Sequence, residues 1–182
     1  MAIIIVIAIV AVLALWFISI QRNLVSRDEL CSNAMSQIGV QQQSRWDAVT
    51  SLVQLTKSYN EHEYNTLKDV IAQRREITSI SGAADAAAQE DLLTAAASRI
   101  RFVAEQYPEL KASETYTRTM DSINTYENQV RVSRMVYNDS VTKYNRLVRQ
   151  FPDSLVAGML HFVAKDYLKD QGEKSEMPKI NI

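Results

Sequence analysis

Apolar side chains recur at Tyr116, Met120, Ile123, Val130, Tyr137, Val141, Tyr144, Val148 and Phe151. The steps alternate between four and three once Glu127 and Arg134 are placed in the two vacant positions. That is a heptad seam on one helix. Neither Gly nor Pro interrupts residues 114–151, and Pro152 ends the run. At about 1.5 Å per residue the helix runs roughly 55 Å, longer than an average globular helix. The rest of the chain is expected to pack along it.

Residues 2–20 contain no charged side chain. As a helix they cover about 28 Å, close to a hydrocarbon core of about 30 Å. Trp16 and Phe17 fall near the far end, where aromatic rings favour the interface. A basic stretch before the apolar run and a small-residue cleavage site after it are both missing, so the pattern predicts a retained anchor. Arg22 and Arg27 flank the exit side. By the positive-inside rule they place the body in the cytoplasm and the N-terminus outside.

Residues 24–80 keep a helical period. Apolar positions include Leu24, Cys31, Met35, Ile38, Trp46, Val49, Leu52, Tyr59, Leu67, Val70 and Ile77. Gly39 costs a helix about 1 kcal/mol and need not break it. Two arrangements fit: one helix throughout, or a turn where the weak helix formers Ser58, Tyr59 and Asn60 cluster. The clearest break is S-I-S-G-A-A at residues 79–84, where Gly82 suits a turn and Asp85 can cap the next helix. That helix is Ala-rich, with a seam at Leu93, Ala96, Ile100, Val103 and Tyr107. Pro108 ends it. Residues 108–112 make a turn, and Ser113 caps the long helix.

After Pro152 a second apolar stripe runs through Leu155, Met159, Phe162 with Val163, and Tyr167. On a helix it would pack on the end of the bundle, lie at the membrane surface or meet a second subunit. The charged tail from Lys169 closes with Pro178 and Ile180, which could hook onto a neighbour.

The polar positions on the long seam carry two structural readings, beside a third in which they are catalytic. Glu127 either pairs with Arg131 one turn on or meets an opposite charge on a facing helix. Arg134 either stretches its stem along the surface or does the same. With Arg45 they would set register. If Glu127 is half of a buried pair, its removal costs about 3–5 kcal/mol. Tyr137-Asn138 recurs seven residues later as Tyr144-Asn145. The tyrosines read as core residues whose hydroxyls reach facing polar groups.

Composition removes several classes. With Gly 4 and Pro 3, an all-β fold is disfavoured. A net charge of −1 without blocks of like charge leaves no nucleic-acid footprint. The single cysteine, Cys31, forms no internal disulfide and reads as a small packing residue. His62 and His161 lie outside the Glu-x-x-His pattern of di-metal bundles, because positions 59 and 158 are Tyr and Gly. His62 beside Glu61 and Glu63 is the one remaining metal candidate. No phosphate loop or recognisable nucleophile set is present.

Taken together the residues show a resemblance to the LemA family of bacterial membrane proteins. It rests on the run E-Q-Y-P-E-L-K-A at 105–112, Tyr126-Glu127-Asn128, Arg134, Tyr137-Asn138, Tyr144-Asn145, Phe151-Pro152 and Leu155-Val156-Ala157. Upstream, Ser36-Gln37-Ile38, Val40-Gln41, Arg45, Asp47, Leu52-Val53, His62-Glu63 and Thr66-Leu67 fit too, as does the closing Pro178-Lys179-Ile180. Departures are Met35 where Trp is common, Gly39 where Asp is common, and Val49-Thr50-Ser51 in place of Ile-Pro-Asn. The resemblance implies an outside N-terminus, one membrane helix and a cytoplasmic four-helix bundle, with no established enzymatic activity.

The expected fold is therefore all-α. A transmembrane anchor at residues 1–21 precedes an elongated antiparallel four-helix bundle of long helices at 22–168, and a tail follows at 169–182. The expected function is a non-enzymatic, homo-oligomeric scaffold at the bacterial inner membrane. It would contact lipid through residues 2–20, with no cofactor, metal or nucleic acid. The polar seam is Arg45, Glu127, Arg134, Tyr137 and Tyr144. The candidate contact residues are Leu155, Met159, Phe162, Tyr167, Pro178 and Ile180. The competing functions are an adaptor for a membrane protease or other membrane enzyme, and a metal-dependent enzyme built on His62.

Overall fold

The computed structural model describes residues 1–169, and these are helical with no strand. Helix α1 spans Ala2–Thr56, α2 Glu61–Ile71, α3 Ala83–Gln106, α4 Pro108–Ala112, α5 Glu114–Arg149 and α6 Asp153–Met159. Pro178 and Ile180 lie outside the described residues.

Helix α1 runs for 55 residues without a break, from the apolar N-terminal stretch into the body. It stops at the cluster of weak helix formers: Asn60 begins α2, and its side-chain oxygen accepts the Glu63 N–H at 3.1 Å. Helix α2 has only 11 residues. The helical pattern read as far as Ile80 ends early. Residues 72–82 form an irregular connection instead, because Gln89 of α3 occupies its backbone. The Gln89 side-chain oxygen accepts the Arg75 N–H at 2.9 Å, and its side-chain amide donates to the Gln73 backbone carbonyl at 3.3 Å. Asp85 works from inside α3 rather than as its cap residue, accepting the Gly82 N–H at 3.2 Å. The turn expected at 108–112 closes into the short helix α4, with Pro108 in its first turn. Ser113 caps α5 through the Tyr116 N–H at 3.4 Å.

Among the described residues, those that are buried form three apolar groups. One joins Ile20 and Leu24 of α1 to Val156 and Ala157 of α6. The second joins Cys31, Ala34, Met35 and Ile38 to Tyr137, Val141 and Tyr144 of α5, with Ile77 and Leu168 added from outside the helices. The third joins Trp46, Val49, Leu52 and Val53 to Leu67, Ile100, Met120 and Ile123. Each fully buried leucine or isoleucine here contributes about 1.5–3 kcal/mol.

Gly39 lies on α1 where the 72–82 connection crosses it. A Cβ there would stand 1.9 Å from the Ile77 carbonyl oxygen and 2.9 Å from its carbon. The glycine is thus the opening through which that backbone approaches, and Ile77 reaches the second apolar group beside it.

Candidate functional site

Between the second and third apolar groups lies a polar layer built from all three long helices, α1, α3 and α5. Arg45 of α1 is fully buried and donates to both Glu90 of α3 and Glu127 of α5, the latter at 3.0 Å. Gln42, one turn before Arg45, donates to the Ala86 carbonyl at 2.9 Å and to the second Glu90 oxygen at 3.2 Å. Glu127 therefore meets an opposite charge on a facing helix. Its side chain is still 51% exposed, whereas that of Glu90 is only 5% exposed. Glu90 is the buried carboxylate, and the sequence reading missed it. The signal was available: carried back three residues from Leu93, the α3 seam lands on Glu90.

A second arrangement uses the other seam residues. The C-terminal segment after α6 runs extended along α5, and α5 grips its backbone. The Asn145 amide donates to the Lys165 carbonyl and its oxygen accepts the Lys165 N–H, both at 2.8 Å. Asn138 repeats this two-point grip on Leu168, at 2.8 and 2.9 Å. The Tyr144 hydroxyl donates to the Val163 carbonyl at 2.9 Å, and the Tyr137 hydroxyl to that of Asp166 at 3.2 Å. Arg134 donates to the Lys169 carbonyl. The spacing has a simple origin. Seven helical residues advance about 10 Å, and three extended residues also advance about 10 Å. A heptad-spaced Tyr-Asn pair is thus in register with an extended strap in steps of three. Burial pushes the Tyr144 hydroxyl up to about 12, so it stays a donor across ordinary pH.

Side chains complete the strap. Leu168 is buried with Cys31 and Tyr137. Lys165 lies over the Tyr144 ring, 5.6 Å from its centre, and pairs with Asp28 of α1 at 2.9 Å. Burial raises the Cys31 thiol, with Lys165 partly opposing it. Alanine at both Asn138 and Asn145 removes four hydrogen bonds of about 1 kcal/mol each, so the open fraction of the strap should rise on the order of 10²–10³-fold. Alkylation of Cys31 in the folded chain should accelerate accordingly. An unchanged rate would mean that the strap does not guard this thiol.

The single apolar stripe expected after Pro152 does not form. Helix α6 ends at Met159, where Leu160 bonds to Val156, His161 to Gly158 and Phe162 to Ala157 through their N–H groups. His161 takes φ 59° in this Schellman ending. The chain leaves the helix there, so residues 155 and 159 are separated from 162 and 167. Leu155 and Met159 are exposed, Phe162 is half-buried against Val156 and Ala157, and Tyr167 is 47% exposed.

His62 has no acidic pair to work with, because Glu63 is committed elsewhere. Arg99 donates to both Glu63 oxygens, at 2.7 and 2.6 Å. Among the described residues no three of His, Cys, Asp and Glu converge as a metal group. The Arg99 guanidinium holds the Glu63 carboxyl below its ordinary 4.5. A lowered folded pKa gives stability that is complete above the unfolded value and is lost as pH falls through the folded one. In thermal melts, wild type should lose this contribution only below about pH 4.5, while Arg99→Ala lacks that step. Parallel curves for the two proteins would contradict the assignment.

Among the described residues the fold and its polar layer are all-helical, with one helix, near the N-terminus, long and apolar enough to cross a membrane. The LemA family model matches residues 34–182, and the chain belongs to that family. No curated protein matches the sequence.

Proposed function

We propose that this chain is a non-enzymatic scaffold of the bacterial inner membrane that assembles side by side with its own copies. Residues 2–20 would span the bilayer with the N-terminus outside, and the body would stand in the cytoplasm on the side of Arg22 and Arg27. The body would be an antiparallel four-helix bundle of α1, α2, α3 and α5. The order of the apolar groups supports this, since they ascend along α1 and descend along α5.

The observation that carries the assembly reading is an apolar row on the outside of α5. Val132, Met135 and Val136 are 57%, 68% and 47% exposed at helical spacing, although the opposite face of α5 already fills the core. Val40 of α1, 59% exposed, shares a shallow depression with Ser133 beside this row. Because α1 continues unbroken out of the apolar stretch, neighbouring copies would hold this row at a common height. Oxidation of a Met135→Cys variant in membranes should give disulfide-linked dimers. Adding Val132→Asp and Val136→Asp should abolish them while leaving the melting temperature within a few degrees. Failure of Met135→Cys to crosslink would sink this interface.

A further inference from the structure

Helix α6 sits at one particular level of the molecule. Its inner face, Val156 and Ala157, packs on Ile20 and Leu24 of α1, with Phe17 alongside. If residues 2–20 fill the hydrocarbon layer, Phe17 and Ile20 stand at its body-side edge. The inner face of α6 is then pinned to that edge.

The outer face is apolar. Leu155 and Met159 are 57% and 70% exposed, and Phe151 and Val163, which flank the helix, are 80% and 73% exposed. Nothing in the described chain covers them. A seven-residue helix is about 10 Å long, which fits the boundary between headgroups and acyl chains when it lies flat. Arg22 and Arg149 are exposed at this end, where anionic headgroups would meet them.

We propose that α6 is a membrane-surface dock, with Leu155, Met159 and Phe151 seated among the lipids of the same bilayer that α1 crosses. The proposal rests on the membrane reading of residues 2–20. The lipid would fix the body at a second point, beside its single span. A helix that packs on α1 and also rests on lipid stops the body from swinging about the exit of α1. It also holds the start of the strap, since residues 160–169 leave from this helix.

The test uses the full chain carrying Cys31→Ser, in vesicles of equal parts phosphatidylcholine and phosphatidylglycerol. Single spin labels are placed at Met159→Cys, at Ile9→Cys in the span, and at the exposed Lys111→Cys in α4. Collision rates with oxygen and with a water-soluble nickel chelate are compared. The expected result is a several-fold lower nickel rate at 159 than at 111, with oxygen access retained, as at position 9. Three results would overturn the proposal. Nickel access at 159 equal to that at 111, with position 9 protected, rejects the dock and leaves the anchor standing. Loss of access to both reagents at 159 puts protein there instead of lipid. Nickel access at position 9 removes the anchor and the dock together. Leu155→Cys provides the same reading should Met159→Cys fail to fold.

Discussion

Arg45→Met lowers the stability of the body by about 3–5 kcal/mol, a fall of about 10 °C in melting temperature. The loss comes chiefly from Glu90. Its carboxylate is almost fully buried, and without Arg45 it keeps only the Gln42 amide among its hydrogen-bond partners in this layer. Glu127→Ala behaves differently. Half of its side chain is already in water, so its removal costs about 1 kcal/mol or less, not the value for a buried pair. Arg45→Met combined with Glu90→Met recovers most of the loss, since an apolar layer of similar volume needs no counter-charge. Thermal melts of the three variants at neutral pH check this. A double variant as unstable as the single one would show that the layer acts by packing instead of charge.

Gly39→Ala destabilises the chain by about 2 kcal/mol, against the direction that helix propensity predicts. An exposed helical glycine changed to alanine gains about 1 kcal/mol. Here the added methyl meets a backbone oxygen at 1.9 Å, and neither partner is the free end of a flexible side chain. The 72–82 connection must move away, and Ile77, 7% exposed, leaves the core with it. Gly39→Val is worse on both counts. Denaturant melts decide the matter by sign: a stabilised Gly39→Ala would mean that the connection does not cross α1 at this point.

The same two positions show how much of the molecule the sequence carries. Helix limits set by local chemistry were legible. Ser113, Pro108 and Pro152 each act through their own backbone or side chain within a few residues, and the breaks fall where they predict. At Ser58-Tyr59-Asn60 the spacing fits a turn as well as an unbroken helix, and the structure takes the turn, with Asn60 capping α2. The apolar span at the N-terminus was legible for the same reason. Contacts between distant segments were not. Gly39 looked like a tolerated helix residue because its partner, the Ile77 carbonyl, is a backbone atom with no signature in the sequence. Arg45 and Glu127 were both marked, yet Glu90 was hidden among alanines, and with it the reason why Glu127 remains half in water.

The strap is the most instructive case. The Tyr-Asn repeat was visible, and the tyrosines were expected to reach polar groups. Those groups are main-chain carbonyls of residues 163 and 166, not side chains on a facing helix. The apolar spacing of Leu155, Met159 and Phe162 reads as helix, but His161 and the grip of Asn138 and Asn145 hold the chain extended beyond Met159. Arg134 likewise meets a carbonyl rather than a carboxylate. Long-range hydrogen bonds override a local period here by engaging backbone donors and acceptors of residues 163–169 that a helix would have used.

The central claim is assembly in the membrane, and particle size tests it most directly. The full-length protein, extracted in mild detergent, would be measured by light scattering and viewed by electron microscopy. Large, regular particles that fall apart when Val132 and Val136 become aspartate are the predicted result. A single monomeric species, unchanged by those substitutions, would contradict the account.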